Sequence, residues 1–175
     1  MKLALNYNSL TGKYDLKVLH KMLKKMIVAC VAMGSVYGFA ASHIRFVLNA
    51  TPSIPHKFFV LLRNVEPSFT IPKKDRYVLF DHSVVNTRVI KQVKGVPGSR
   101  IQYDAKGDLW VDEFCVGKPH TVSRTGQLIH AIKPGIIPEG YVFAYAPHDR
   151  SFDSRYEEFG LIPVQSIQGV GVAIL

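Results

Sequence analysis

The run from Met26 to Ile44 constrains this chain more than any other stretch. It holds 19 residues without a formal charge, between Lys24-Lys25 on one side and Arg45 on the other. About 20 apolar residues cross a bilayer as a helix, because a segment in lipid must satisfy its backbone polar groups internally. Three readings compete for this run. A cleaved signal peptide is one, since Ala40-Ala41-Ser42 has the small residues of a cleavage site, but the basic stretch before it is long for that. A buried core helix is the second, opposed by the flanking lysines and the uncharged length. An uncleaved signal-anchor fits best.

Ahead of the run stand Lys2, Lys13, Lys17, Lys21, Lys24 and Lys25 against Asp15 alone. Tyr14, Leu16, Leu19 and Leu23 make a loose helical stripe, suited to a lead-in at the membrane surface. The positive-inside rule places this basic end in the cytoplasm and exports the remainder. The expected organisation is a basic cytoplasmic N-terminus over 1–25, a transmembrane signal-anchor over 26–44 and an exported domain over 45–175.

The net charge of +9 suits contact with an anionic membrane surface or nucleic acid. Six of the 22 basic residues precede the anchor, where topology explains them, and the others are not striped with aromatics. The lipid bilayer is therefore an expected partner and nucleic acid is not. A membrane-tethered basic module that binds lipid or DNA is the non-enzymatic alternative, supported by charge alone. Cys30 falls inside the uncharged run, so Cys115 stands alone in the exported part and no disulfide framework can form there. The histidines lack ligand spacing, and neither a metal nor a cofactor is expected.

Beyond Arg45 the pattern changes to short strands and turns. Strands are expected at Phe58–Leu62, Tyr77–Phe80, Thr87–Val93, Ile101–Tyr103, Leu109–Val111 and Tyr141–Tyr145. Phe114–Val116 and Gln127–Ile129 are weaker candidates, and Val164–Leu175 suits a last strand that closes the sheet. Few helical windows interrupt them, which indicates an all-β domain. Between anchor and first strand, Asn49 to Phe58 carries Ser53 between Pro52 and Pro55. Prolines fix φ and hold the preceding residues extended, so this segment is expected as a stiff strand edge that presents Ser53. A serine in such a stretch is ordinarily only a turn residue.

Four stretches give Ser53 another meaning. They are Thr51-Pro52-Ser53-Ile54-Pro55; Lys73 to Phe80; Ile90-Lys91-Gln92-Val93-Lys94-Gly95-Val96-Pro97-Gly98; and Ser151-Phe152-Asp153-Ser154-Arg155-Tyr156 with Gly160 and Pro163. In this order they resemble the nucleophile, strand, lysine and Ser-x-Asp-Ser-Arg-Tyr boxes of type I signal peptidases. The pattern Asn49-x-Thr51-x-Ser53-x-Pro55 and the short length are most similar to the conjugative-transfer branch, the TraF type. There are departures. Lys57 and Phe58 stand where glycine and tyrosine are expected, and Glu157-Glu158-Phe159 lengthens the link to Gly160. Tyr145-Ala146-Pro147-His148 replaces the Gly-Asp-Asn of housekeeping enzymes, as suits the conjugative branch.

The resemblance implies a signal-peptidase-like β-barrel or coiled sheet behind one transmembrane helix, in a bacterial inner membrane with the catalytic domain periplasmic. It implies Ser53 as nucleophile and Lys91 as general base, with the Ser53 N–H and the Thr51 hydroxyl holding the oxyanion. Ser151 would orient the lysine, Asp153 and Arg155 would form a structural ion pair, and Ile54 and Ile90 would line the substrate pocket. The implied substrate is an exported precursor with small residues before the cut, a propilin in the conjugative branch. Lysine acts as a base only when neutral, yet its ordinary pKa is about 10.4, so Lys91 must be desolvated by packing from other strands. A Ser-Lys self-cleaving protease is the rival with the same chemistry, opposed by the anchor. A catalytically inactive pilus-assembly scaffold is the other.

Overall fold

The computed structural model describes residues 16–49, 53–63 and 71–174. The chain divides into two compact units, Met1–Ser42 and His43–Leu175.

A single helix, α1, runs over Leu16–His43, all but its last residue in the first unit, and buries none of its residues. The basic lead-in from Leu16 and the uncharged run as far as His43 are thus one continuous helix, while Ile44, expected as the last residue of the anchor, opens a strand. Its large apolar side chains are uncovered, with Val28, Val36 and Phe39 each more than two-thirds exposed. That is the opposite of a core helix. Ser35 and Ser42 donate their hydroxyls to Val31 O and Phe39 O, so these polar groups are satisfied within the helix, as a lipid environment demands. By length and apolar content this helix fits a single-pass membrane anchor.

The second unit is all-β. Its larger sheet has seven antiparallel strands in the order β1-β2-β11-β3-β4-β9-β10. These are β1 Ile44–Leu48, β2 Phe58–Arg63, β3 Tyr77–His82, β4 Thr87–Gly95, β9 Tyr141–Tyr145, β10 Ile162–Pro163 and β11 Ile167–Ala173. A second sheet pairs β7 Phe114–Gly117, β6 Leu109–Val111, β5 Arg100–Tyr103 and β8 Gly135–Ile136. The last strand, β11, inserts between β2 and β3 and closes the sheet. Gly171 permits this: a Cβ there would meet the Val60 carbonyl oxygen at 1.9 Å.

Both faces of the larger sheet are covered near its centre, which breaks the simple alternation of a half-buried strand. One face packs Val78, Phe80, Val93, Val142, Phe159 and Ile167. The other packs Ile54, Phe59, Leu61, Tyr77, Leu79 and Ile90. Phe143 of β9 carries the core on into the smaller sheet, against Ile101, Leu109, Val111 and Ile137.

Two further sequence expectations change. Gln127–Ile129 is not a strand; Leu128 makes only an isolated bridge to Val122. Nor is the described part of Asn49 to Phe58 an extended edge around Ser53. Ile44–Leu48 forms a strand that pairs antiparallel with β2, from Ile44 opposite Leu62 to Leu48 opposite Phe58. Ser53 lies in a turn, and Ile54 and Pro55 in a bend. The fixed φ of Pro55 therefore serves a bend rather than a strand. Lys57 and Phe58 close this stretch: Asn49 N–H donates to Lys57 O at 2.8 Å, and Phe58 opens β2.

Candidate active site

Ser53 is held by the loop around it. The Asn49 side-chain amide donates to Ile54 O and His56 O, both at 3.2 Å, so it spans the loop from inside. Ile54 is 3% exposed and sinks into the core beneath, which fixes the residue next to Ser53. The Ser53 carbonyl accepts a long 3.4 Å bond from His148 N–H, tying the loop to the segment after β9. Thr51, expected as an oxyanion donor, lies outside the described residues.

Lys91 lies on β4 opposite Val78 of β3 and is 5% exposed. A lysine buried to this degree is rare unless its ammonium finds a partner. Its Nζ donates to Ser151 Oγ at 2.7 Å and stands 6.0 Å from the centre of the Phe159 ring. Burial lowers its pKa from 10.5 to about 8; Asp153 opposes that fall, while Arg155 and Arg124 add to it. The amine is thus poised within reach of neutral pH. Among the described residues no hydrogen bond joins Lys91 to Ser53; the lysine rests on Ser151.

Ser151, 2% exposed, reaches Lys91 because the segment after β9 is pinned from below. Arg155 and Asp153, both buried, form a two-point ion pair, Nε to Oδ1 at 2.8 Å and Nη2 to Oδ2 at 2.9 Å. Asp153 Oδ2 also accepts from Ala146 N–H, and Arg155 donates to the carbonyls of Ala146, His148, Asp149 and Ser151. Ser154 bridges Ala144 N–H and Gly160 O. A buried charge costs several kcal/mol unless it is paired and hydrogen-bonded, and here Nε, Nη1 and Nη2 of Arg155 all donate while both Asp153 oxygens accept. The pair is a clamp for the backbone that carries Ser151, and it stays out of the cavity.

Ser53 and Lys91 line the same cavity, of about 470 Å³, with Leu79, Val89, Ile90 and Phe159 in its walls. Of the two isoleucines singled out in the sequence, Ile90 faces this cavity, while Ile54 belongs to the core below it. Asn49 and Phe159 were not assigned chemical roles from the sequence. The signal for Phe159 was a large aromatic in the acidic insertion before Gly160, which marks a side chain that the added length carries onto the sheet.

A family model described as "Signal peptidase, peptidase S26" matches residues 19–175. A probable conjugal transfer protein TraF of Sinorhizobium fredii (strain NBRC 101917 / NGR234) is 37% identical over 90 residues, 50% of this chain and 45% of that protein. A conjugal transfer protein TraF of Agrobacterium fabrum (strain C58 / ATCC 33970) is 34% identical over 85 residues, 47% of this chain and 46% of that one. The chain spans about half the length of the curated relatives it matches. The crystal structure of a signal peptidase I from Enterococcus faecalis V583 aligns with a TM-score of 0.39 and 23% identity, over 59% of this chain and 98% of that one.

Proposed function

The chain belongs to the S26 signal peptidase family, and on that footing we propose that it is a membrane-anchored serine endopeptidase that removes the leader from an exported precursor. The observation that carries the reading is a buried lysine amine, 2.7 Å from a serine hydroxyl, opening into the same cavity as a second, loop-borne serine.

In this reading Ser53 Oγ attacks the scissile carbonyl while neutral Lys91 Nζ takes its proton. The tetrahedral oxyanion rests on the Ser53 N–H and the Thr51 hydroxyl, each such donor contributing about 3 kcal/mol in the transition state. Lys91 then returns the proton to the leaving amine, and the acyl group remains on Ser53 until water releases it. Ser151 keeps the amine in place between transfers. Lys91 turns from Ser151 towards Ser53 as substrate fills the cavity, since catalytic contacts commonly tighten only in the complex. Asp153 and Arg155 hold the scaffold and exchange no proton. The confined apolar wall around Ile90 and Leu79 suits small side chains before the cut.

Likeness to two conjugal transfer proteins favours a propilin of a transfer apparatus as the precursor. The helix Leu16–His43 would hold the enzyme in the inner membrane with its β-domain on the periplasmic side. A non-catalytic assembly scaffold is the alternative, favoured by the resting separation of Lys91 from Ser53.

The test is cleavage of a precursor peptide with small residues before the cut, by the full chain in detergent micelles. Ser53→Ala and Lys91→Ala should each lower kcat by roughly a thousandfold or more while leaving the fold intact. Undiminished cleavage by Ser53→Ala overturns the reading, and no cleavage by the parent chain favours the scaffold.

A further inference from the structure

A second cavity, of about 650 Å³, adjoins the first, and three residues line both: Val85, Arg124 and Phe152. Ser151 lines the second cavity and Lys91 the first, so the Lys91–Ser151 hydrogen bond lies at the divide between them. A peptide bond positioned at Ser53 must extend chain in both directions. The acyl half stays with Ser53, beside Ile90. The leaving nitrogen must come within hydrogen-bond reach of Lys91 Nζ to receive its proton. The chain beyond that nitrogen therefore runs past Lys91 and Ser151, into the second cavity. At this volume it falls within the roughly 300–1,000 Å³ of typical ligand sites.

The charge around the second cavity is lopsided. Of its acidic neighbours, Glu158 is engaged by the His130 ring at 2.7 Å and by His130 N–H, and Asp149 by His120 at 3.0 Å. Arg124 and Arg150 line the cavity, and among the described residues neither guanidinium has a hydrogen-bond or ion-pair partner. Arg124 is not on a loose loop. Val122 bridges Leu128, Ser123 N–H donates to Gln127 O at 2.8 Å, Ile129 N–H to Thr121 O at 3.0 Å, and Gly126 takes the left-handed turn at φ 83°. The guanidinium is thus presented at the junction of the two cavities by a hairpin closed on itself. A planar guanidinium matches a carboxylate in two points.

We propose that the second cavity binds the residues that follow the cut, and that Arg124, supported by Arg150, selects an acidic side chain among them. The assignment rests on the peptidase reading given above. It adds a specificity on the leaving side that the apolar wall near Ile90 cannot supply. The leaving segment is drawn in by charge, and a basic residue in the same place is repelled.

The experiment uses the full chain in detergent micelles and C-terminally amidated peptides, so that no terminal carboxylate competes. The peptides are identical up to the cut and carry Glu, Gln or Lys at the second and third positions after it. Glu peptides should exceed Lys peptides in kcat/KM by about tenfold or more at low salt, with the gap narrowing as salt rises. Arg124→Glu should reverse the order and Arg124→Lys should keep it. In parallel, fluorescence anisotropy follows a labelled peptide made only of the residues after the cut. Its Glu form should bind the parent chain more tightly than Arg124→Glu. Normal cleavage with the same Glu-to-Lys ratio in parent and Arg124→Glu overturns the assignment and leaves the peptidase reading standing. Charge-selective binding without cleavage of any peptide does the reverse, and neither binding nor cleavage overturns both. If Arg124→Glu fails to fold, equal rates for Glu and Lys peptides with the parent chain are sufficient to overturn it.

Discussion

Replacing Lys91 by Met should stabilise the protein at neutral pH while destroying its chemistry. Folding moves the lysine from an ordinary pKa of 10.5 to about 8. Below pH 8 the folded state must hold a charge that its buried site disfavours, by about 3 kcal/mol at roughly 1.4 kcal/mol per pH unit of displacement. The sign follows from linkage: the unfolded chain binds the proton more tightly, so this penalty is fully present below pH 8 and fades as pH rises towards 10.5. Methionine has a similar length and carries no charge. It leaves Ser151 Oγ, 2% exposed, without its partner, a cost of about 1–2 kcal/mol. Lys91→Met should therefore be more stable than the parent by about 1–2 kcal/mol at pH 7 and lose that advantage by pH 10. The assay is denaturant unfolding in detergent micelles, read by the fluorescence of Trp110, the single tryptophan of the chain, which lies in β6 of the second unit. A Lys91→Met protein less stable than the parent at pH 7, or a gap that does not change with pH, would refute the argument that Lys91 is desolvated.

Two further outcomes can be checked with the same preparations. Ser151→Ala should lower turnover by roughly a hundredfold through misplacement of the amine, and the midpoint of its pH–rate profile should not rise, because an ammonium has lost an acceptor; a raised midpoint would count against the Lys91–Ser151 contact. Gly171→Ala should cost about 3 kcal/mol or more in Trp110-monitored unfolding, since its Cβ would overlap the Val60 carbonyl oxygen and push β11 from β2; an unchanged midpoint would contradict the close strand approach.

Much of the β-domain was legible in the sequence because its strands are short, β-branched and separated by turn residues. Tyr77–Phe80, Thr87–Val93 and Tyr141–Tyr145 fall inside observed strands for that reason. The turn at Ser53 departs from the expected extended edge for a physical reason too. Proline fixes φ, but whether stiff residues continue a strand or turn it back depends on what pairs on either side, and β1 was hidden at the end of an apolar helix. Ser53 and Lys91 became candidates only through four ordered boxes, since a lone serine or lysine carries no sign of burial. The desolvation of Lys91 could not be read locally: it comes from Val78 across the strand pair and Phe159 from a distant loop. Arg124 was illegible for the same reason, because its position relative to the site is set by a hairpin outside all four boxes.

Whether Lys91 activates Ser53 is read most directly from the pH dependence of Ser53 phosphonylation. The full chain in detergent micelles is treated with a fluorophosphonate from pH 6 to 10, and the adduct is located and timed by mass spectrometry. Modification is expected at Ser53, at a rate that climbs with pH, levels off with a midpoint near the Lys91 value of about 8, and is lost throughout in Lys91→Met. A rate indifferent to pH, or Ser53 labelled as fast in Lys91→Met as in the parent, would contradict it.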